Sequence, residues 1–246
     1  MRLLLGLAAA LLYASLQAAS PVTHIVMAQK WMEIVRPFHG EHKNAFYSGN
    51  LFPDIRYLGT VSRESTHEEG VTLEYVLESP SPFWAGTRLH AWIDDTRESL
   101  VVEWDVYRHI EKYAEGHKAT LLKMVEDEIL YDRLSRRHMM WDIAHIADDE
   151  WRAGISRKTL IKWHLFLTLY FSCRPSRQLS LLAKERKSYL NVPAKTVKRW
   201  SKVIPYLAQQ TELQEYVERL EDTISAYFED LKERVSDRLA THSEFL

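Results

Sequence analysis

The sequence is poor in residues that staple or break a chain. One cysteine (Cys173), eight glycines and eight prolines stand among 246 residues. A single thiol excludes an internal disulfide framework and any thiolate zinc finger. Glycine and proline together fall well below the roughly 12 % of an ordinary protein. That is too few turn formers for a sandwich or a barrel. The P-loop, dinucleotide-binding, nucleophile-elbow and HExxH patterns are all missing, so those chemistries have no sequence support. Beyond residue 16 no apolar run approaches the ~20 residues of a transmembrane helix. There are no repeats and no low-complexity tract.

Hydrophobic residues make up 46 % and charged residues 27 %, the proportions of a globular chain with a core. The composition predicts an all-α fold. Thr23–Val35 reads as a helix capped by Thr23, with apolar Ile25, Ala28, Met32 and Val35 on one face. Ser48-Gly49-Asn50-Leu51-Phe52-Pro53-Asp54 reads as a loop from its Gly, Asn and Pro. Residues 66–78 read as helical, and Ser81-Pro82 as the cap and first turn of a helix carrying Phe83, Trp84, His90 and Asp94. Further helices are expected near 117–134, 138–150, 156–171, 176–188 and 195–207. Residues 99–107 have strand character, although one strand cannot make a sheet. The tail opens on Thr211-Glu212-Leu213-Gln214, which fits a capping box. An apolar stripe follows through Leu213, Val217, Leu220, Ile224, Tyr227, Leu231 and Val235, the pattern of an amphipathic core helix.

The overall charge of −2 hides a partition. Residues 1–150 carry 15 basic and 23 acidic side chains, residues 151–202 carry 13 and one, and residues 203–246 carry 4 and 10. The nets are −8, +12 and −6. Two readings of the basic block stand open: it packs against the acidic flanks, or it forms a face for phosphates, anionic lipid or nucleic acid. The first residues, Met1-Arg2 followed by an apolar run over 3–16 and then Gln17-Ala18-Ala19-Ser20, read as a signal peptide over 1–19. Export to the periplasm or medium is expected, with a cytoplasmic chain as the alternative. The organisation expected is therefore a leader, a metal-binding helical catalytic region over 20–150, and a basic helical region with an acidic tail helix over 151–246, packed as one domain with it. No anchor in the mature chain and no stable protein partner are expected.

The strongest local signal for chemistry is Leu89-His90-Ala91-Trp92-Ile93-Asp94. His90 and Asp94 stand four residues apart, so on a helix they share a face. Taken alone, the pair reads more commonly as a surface ion pair; nitrogen and oxygen donors at that spacing can also hold one zinc at about 2.0–2.2 Å each. Upstream lie His24, Asp54 and His67, which complete a thiol-free N/O set suited to a hydrolytic zinc site with room for water. His39 and His42 read as surface residues, and Cys173, beside Leu169-Tyr170-Phe171, as a buried inert thiol. His138, Asp142, His145 and Asp149 make two more His-x3-Asp pairs, read as a solvated face.

In order and spacing, this set resembles the zinc-dependent phospholipase C superfamily, which includes the fungal-type single-strand nucleases. The resemblance covers roughly residues 20–135. It implies an all-helical, phospholipase C-like bundle, here with a helical C-terminal extension. It implies metal ligation by His24, Asp54, His67, His90 and Asp94, with Asp94 bridging two ions and Asp54 also orienting the attacking water. The implied reaction is zinc-dependent hydrolysis of a phosphodiester: a phospholipid, a nucleotide or nucleic acid. The chain departs from the family at Leu100, where a further His is expected, and at Leu122-Lys123-Met124-Val125-Glu126, which keeps a Glu but not the His. One or two zinc ions are thus implied, with Glu126, Asp127 and Glu128 as candidates for the lost ligands. A free amine after Ala18 or Ala19 stands as a further candidate ligand. The rival expectation is a non-catalytic helical protein with a structural zinc and a partner-binding basic face.

Overall fold

The computed structural model describes residues 21–58, 61–134, 142–143, 145–184 and 192–243. The fold is all-α. Its helices are α1 (Pro21–Ile34), α2 (Gly40–Leu51), α3 (Leu73–Leu77), α4 (Pro82–Glu103), α5 (Glu111–Ala114), α6 (Lys118–Leu130), α7 (Asp148–Arg152), α8 (Arg157–Ser172), α9 (Pro175–Lys184), α10 (Ala194–Leu207) and α11 (Thr211–Ser243). Short 3-10 turns follow α2 (Phe52–Leu58), α4 (Val106–His109) and α6 (Tyr131–Arg133). No strand occurs among the described residues, and no described helix is long and apolar enough to cross a membrane. The leader reading and the free-amine ligand lie outside the described residues, as does His138. Of the helix expected at 138–150, residues 145–147 are not helical and α7 begins only at Asp148.

One apolar cluster runs from Val22 to Leu231, so both halves of the chain share a core. Helix α1 lies at its centre, packed against α2, α4, α6 and α11. Its first turn buries four consecutive residues, Pro21 to His24. Thr23 is not the cap. The free amides of that turn are instead satisfied by Asp127, from α6, whose carboxylate accepts from Val22 N (3.1 Å), Thr23 N (2.8 Å) and the Thr23 hydroxyl (3.0 Å). A carboxylate at a helix N-terminus also meets the positive end of the helix dipole.

The predicted loop at 48–54 is wrong. Helix α2 runs through Leu51 and a 3-10 turn through Leu58. Gly49 and Gly86 are where α2 and α4 cross almost backbone to backbone. A Cβ on Gly49 would lie 1.9 Å from Phe83 O, and one on Gly86 would lie 2.2 Å from Phe46 O. The crossing is laced by Asn50 Nδ2 donating to Gly86 O (3.2 Å) and by the Thr87 hydroxyl, within 3.2 Å of Gly49 O and 3.1 Å of Phe83 O. The residues that suggested a turn are there for close approach.

Helix α3 is shorter than the span expected over 66–78. Gly70, at φ 65°, interrupts it, and Thr72 caps it by accepting from Tyr75 N at 3.2 Å. Helix α4 begins as expected, with Ser81 at the cap and Pro82 in the first turn. It continues through the residues given strand character, as far as Glu103. Leu100 and Val101 are buried while Val102 is 64 % exposed, a helical rather than an alternating pattern. Asp105, in the left-handed region, ends the run.

At the tail, Thr211 is the first helical residue and Gln214 donates to Ala208 O (3.0 Å), so no capping box forms. The stripe turns inward at Phe228, not Tyr227. Phe228 packs edge-on to Trp31 at 5.2 Å, whereas Tyr227 is 43 % exposed. A period of 3.6 from Ile224 lands nearer 228.

A buried pair closes the segment around α7. His164 donates from Nε2 to Glu150 Oε2 (2.7 Å) and from Nδ1 to Ile143 O (2.6 Å), while Glu150 Oε1 accepts from Ala147 N (2.9 Å). Burial pushes the imidazole down, but the Glu150 hydrogen bond and charge outweigh it, so the net shift is upward from 6.5. A raised folded value means stability that is fully present below the unfolded value and lost as pH rises through the folded one. The stability difference between wild type and His164→Asn should therefore be widest below about pH 6.5 and narrow as pH rises. Denaturant melts of both proteins across the pH range measure it; a gap that widened with pH would refute the assignment.

Candidate metal centre

Four separate stretches of chain bring His24, Asp54, His67, His90 and Asp94 together. His24 sits in the first turns of α1, and Asp54 in the 3-10 turn after α2. His67 ends a turn closed by its own amide donating to Arg63 O at 2.9 Å. His90 and Asp94 share one face of α4. His24 and His90 stack with ring centroids 3.9 Å apart, and His67 stands edge-on to His90 at 5.1 Å.

His24 Nε2 is 3.4 Å from Asp94 Oδ1. His90 Nε2 is 3.5 Å from Asp94 Oδ2 and 3.7 Å from Asp54 Oδ1. His67 Nε2 is 3.8 Å from Asp94 Oδ2. These separations are too long for hydrogen bonds. Ligands at 2.0–2.2 Å around a tetrahedral ion lie roughly 3.3–3.6 Å from one another. The spacing therefore fits donors around a cation and does not fit donors bonded to each other. Within the cluster, His24, His90 and Asp94 form one group of three and Asp54, His67 and His90 another, with donor atoms no more than 4.8 Å apart in each. Asp94 turns one oxygen toward His24 and the other toward His67 and His90.

His24 Nε2, His67 Nε2, His90 Nε2, Asp54 Oδ1 and Asp94 Oδ1 are all buried without a hydrogen-bond partner. A single buried orphan costs about 1–3 kcal/mol. Five in one place, all of ligand type, fit a metal. The imidazoles are prepared for it. His90 Nδ1–H donates to Asn50 O at 2.7 Å, a carbonyl in the last turn of α2, which leaves the Nε2 lone pair facing the cluster. His67 Nδ1 lies 3.1 Å from the Thr66 hydroxyl.

Burial pushes His24 down, and pushes His67 down to about 2, so both are held neutral as ligands must be. Burial alone would raise Asp94, yet the imidazoles of His90 and His24 beside it hold it well below the usual carboxylate range. Burial raises Asp54 to about 7. Two cations flank the donors: Arg56, with Nη2 4.0 Å from Asp54 Oδ1, and Lys123 on α6.

The three candidate substitutes for the lost family ligands are committed elsewhere. Arg97 grips Glu126 through Nε (2.8 Å) and Nη2 (2.7 Å), and Tyr216 donates to the same carboxylate at 2.6 Å. Asp127 holds the start of α1. Glu128 accepts from Ser176 N (2.9 Å) and its hydroxyl (2.8 Å). None of the three belongs to a donor group among the described residues. Of the other histidine–aspartate pairs, Asp142 bonds Lys43 at 2.8 Å and Asp149 accepts from Ser81 at 2.6 Å, tying the 142–149 segment to α2 and α4. His39 and His42 are exposed. Cys173 is half-buried and burial raises its thiol, the opposite of a nucleophile. The basic block divides between its two readings. Arg152, Arg174 and Arg199 pair with acidic neighbours, while Lys158, Lys162, Arg177, Lys195, Lys198 and Lys202 are exposed.

Sequence reasoning missed Asn50, which was read as a loop residue, and the two flanking cations. Lys123 was visible only as the neighbour of a missing His. No family model, curated protein or solved structure matches the chain.

Proposed function

We propose that the chain is a zinc-dependent phosphodiester hydrolase, phospholipase C-like in the order of its ligands. The observation that carries this reading is the set of five unpartnered N/O donors, 3.4–3.8 Å apart, drawn from four regions of chain. His24, His67, His90, Asp54 and Asp94 would hold one or two ions. Five side chains cannot close two tetrahedral shells, so open positions remain for water and substrate. Bound zinc supplies Lewis acidity and lowers the pKa of a coordinated water toward ~7. The chain's own residues do the positioning. Asn50 O fixes the tautomer of His90, Asp94 faces all three imidazoles, and Asp54 orients the attacking water. His67 also lines a cavity of about 70 Å³ with Phe52, Thr66, Glu68 and Trp84. Export, with this chemistry performed outside the cytoplasm, remains part of the proposal.

Zinc-loaded protein should hydrolyse bis-p-nitrophenyl phosphate, lose that activity to a chelator and regain it with zinc. Hydrolysis unaffected by chelation would sink the assignment. The commitment of Glu126, Asp127 and Glu128 to structural bonds favours a second reading, a structural zinc in a non-catalytic helical protein whose exposed lysines bind a partner. Zinc uptake without hydrolysis of this ester or of phospholipid, nucleotide and single-stranded nucleic acid would select it.

A further inference from the structure

We propose that Lys123, with Arg56, forms the cationic half of a binding position for a tetrahedral oxyanion, the phosphate group of a substrate or product. The proposal rests on the metal reading above and adds a residue that the family's ligand pattern does not supply. Lys123 lies one turn before Asp127 on α6, on the same face. Asp127 bonds Val22 N and Thr23 N, the residues just before His24. That face of α6 is thereby held against the turn that presents the first donor. The Lys123 side chain is half-buried, and its charge acts on His24, Asp54 and Asp94 together. No direct ion pair closes on it among the described residues. The nearby Arg97 offers no relief, since it is a cation already spent on Glu126 and Glu98.

The charge count makes the case. Lys123 faces both carboxylates of the donor set, Asp54 and Asp94, and Arg56 faces Asp54. Divalent metal would be held by those same two carboxylates, which leaves net positive charge in the pocket with no further carboxylate among the donor groups. Uncompensated buried charge is costly. A phosphate oxyanion supplies both the negative charge and several acceptor oxygens, and an ammonium serves it as a point charge. The two cations reach the centre from different elements, Arg56 from the 3-10 turn beside Asp54 and Lys123 from α6, so the anion is gripped from two sides.

The test uses the zinc-loaded full chain, inorganic phosphate as the probe, and titration calorimetry alongside zinc analysis. Lys123→Gln should keep the zinc content of wild type and bind phosphate about tenfold more weakly or worse, the scale of a lost hydrogen bond to a charged group. Lys123→Arg should recover most of the affinity. Lys123→Met, which preserves the apolar stem, replaces the Gln variant if that does not fold. Phosphate bound as tightly by the neutral variant as by wild type would overturn the proposal and leave the metal reading standing. Zinc lost together with phosphate would make Lys123 part of the metal-holding framework and overturn it too. A wild-type chain that takes up no zinc removes both.

Discussion

Replacing Asp94 with alanine should empty the centre and abolish zinc-dependent ester hydrolysis while leaving the helices in place. Asp94 is the carboxylate that faces all three imidazoles. Its Oδ1 looks to His24, and its Oδ2 looks to His67 and His90. Removing it takes the only carboxylate from the His24–His90–Asp94 group and the carboxylate oxygen that faces His67. It also leaves Asp54 as the one carboxylate of the cluster, beside Lys123 and Arg56, a poorer home for a dication. Loss of an outer-shell partner typically costs 10–100-fold in metal affinity, so loss of a direct carboxylate ligand should cost more than ~100-fold. The helix has no reason to suffer, because alanine is the better helix former in the middle of α4. Circular dichroism should be unchanged, and the zinc content of the purified variant should fall below that of wild type. Equal zinc content would show that Asp94 is not a ligand.

The second large effect is structural. Gly86→Ala should lower stability by about 3 kcal/mol or more, at or beyond the upper end of ordinary overpacking. The added methyl has nowhere to go. It would lie 2.2 Å from Phe46 O and 2.6 Å from Asn50 N, both backbone atoms of α2. The two helices must part, and Asn50 O then moves from His90 Nδ1. The variant should therefore lose thermal stability and zinc affinity together. Gly40→Ala is not a matched control, because its φ of 54° brings strain of its own. Ala85→Gly, on the same helix, is better, since it should cost only about 1 kcal/mol of helix propensity and no more than a small cavity. A Gly86→Ala protein as stable as wild type would mean that the crossing is looser than drawn.

What the sequence disclosed follows from the range of each interaction. The scarcity of glycine and proline and the 3.6-residue stripes are local, and they led to the all-α fold. Ser81-Pro82 is a local cap and was legible as one. His90 and Asp94 were legible as neighbours because helical geometry alone joins them. The positions of His24, Asp54 and His67 came from order and spacing in a resemblance, and the structure brings all three to the same cluster. Gly49 was misread because a glycine required by a partner helix looks, in sequence, like a glycine required by a turn. Thr23 was misread as a cap because the true cap, Asp127, lies 104 residues further on. Glu126 looked free to bind metal because Arg97 and Tyr216, its partners, are distant in the chain. Lys123 shows the same limit: only the packing of α6 on α1 brings its charge to the site.

The most direct measurement is elemental analysis of the purified wild-type chain after equilibrium dialysis against micromolar zinc. The account predicts between one and two zinc ions per chain, released by a chelator and absent when Asp94 is alanine. A wild-type chain that retains no divalent metal under these conditions would contradict it, because five buried donors would then stand together with nothing to bind.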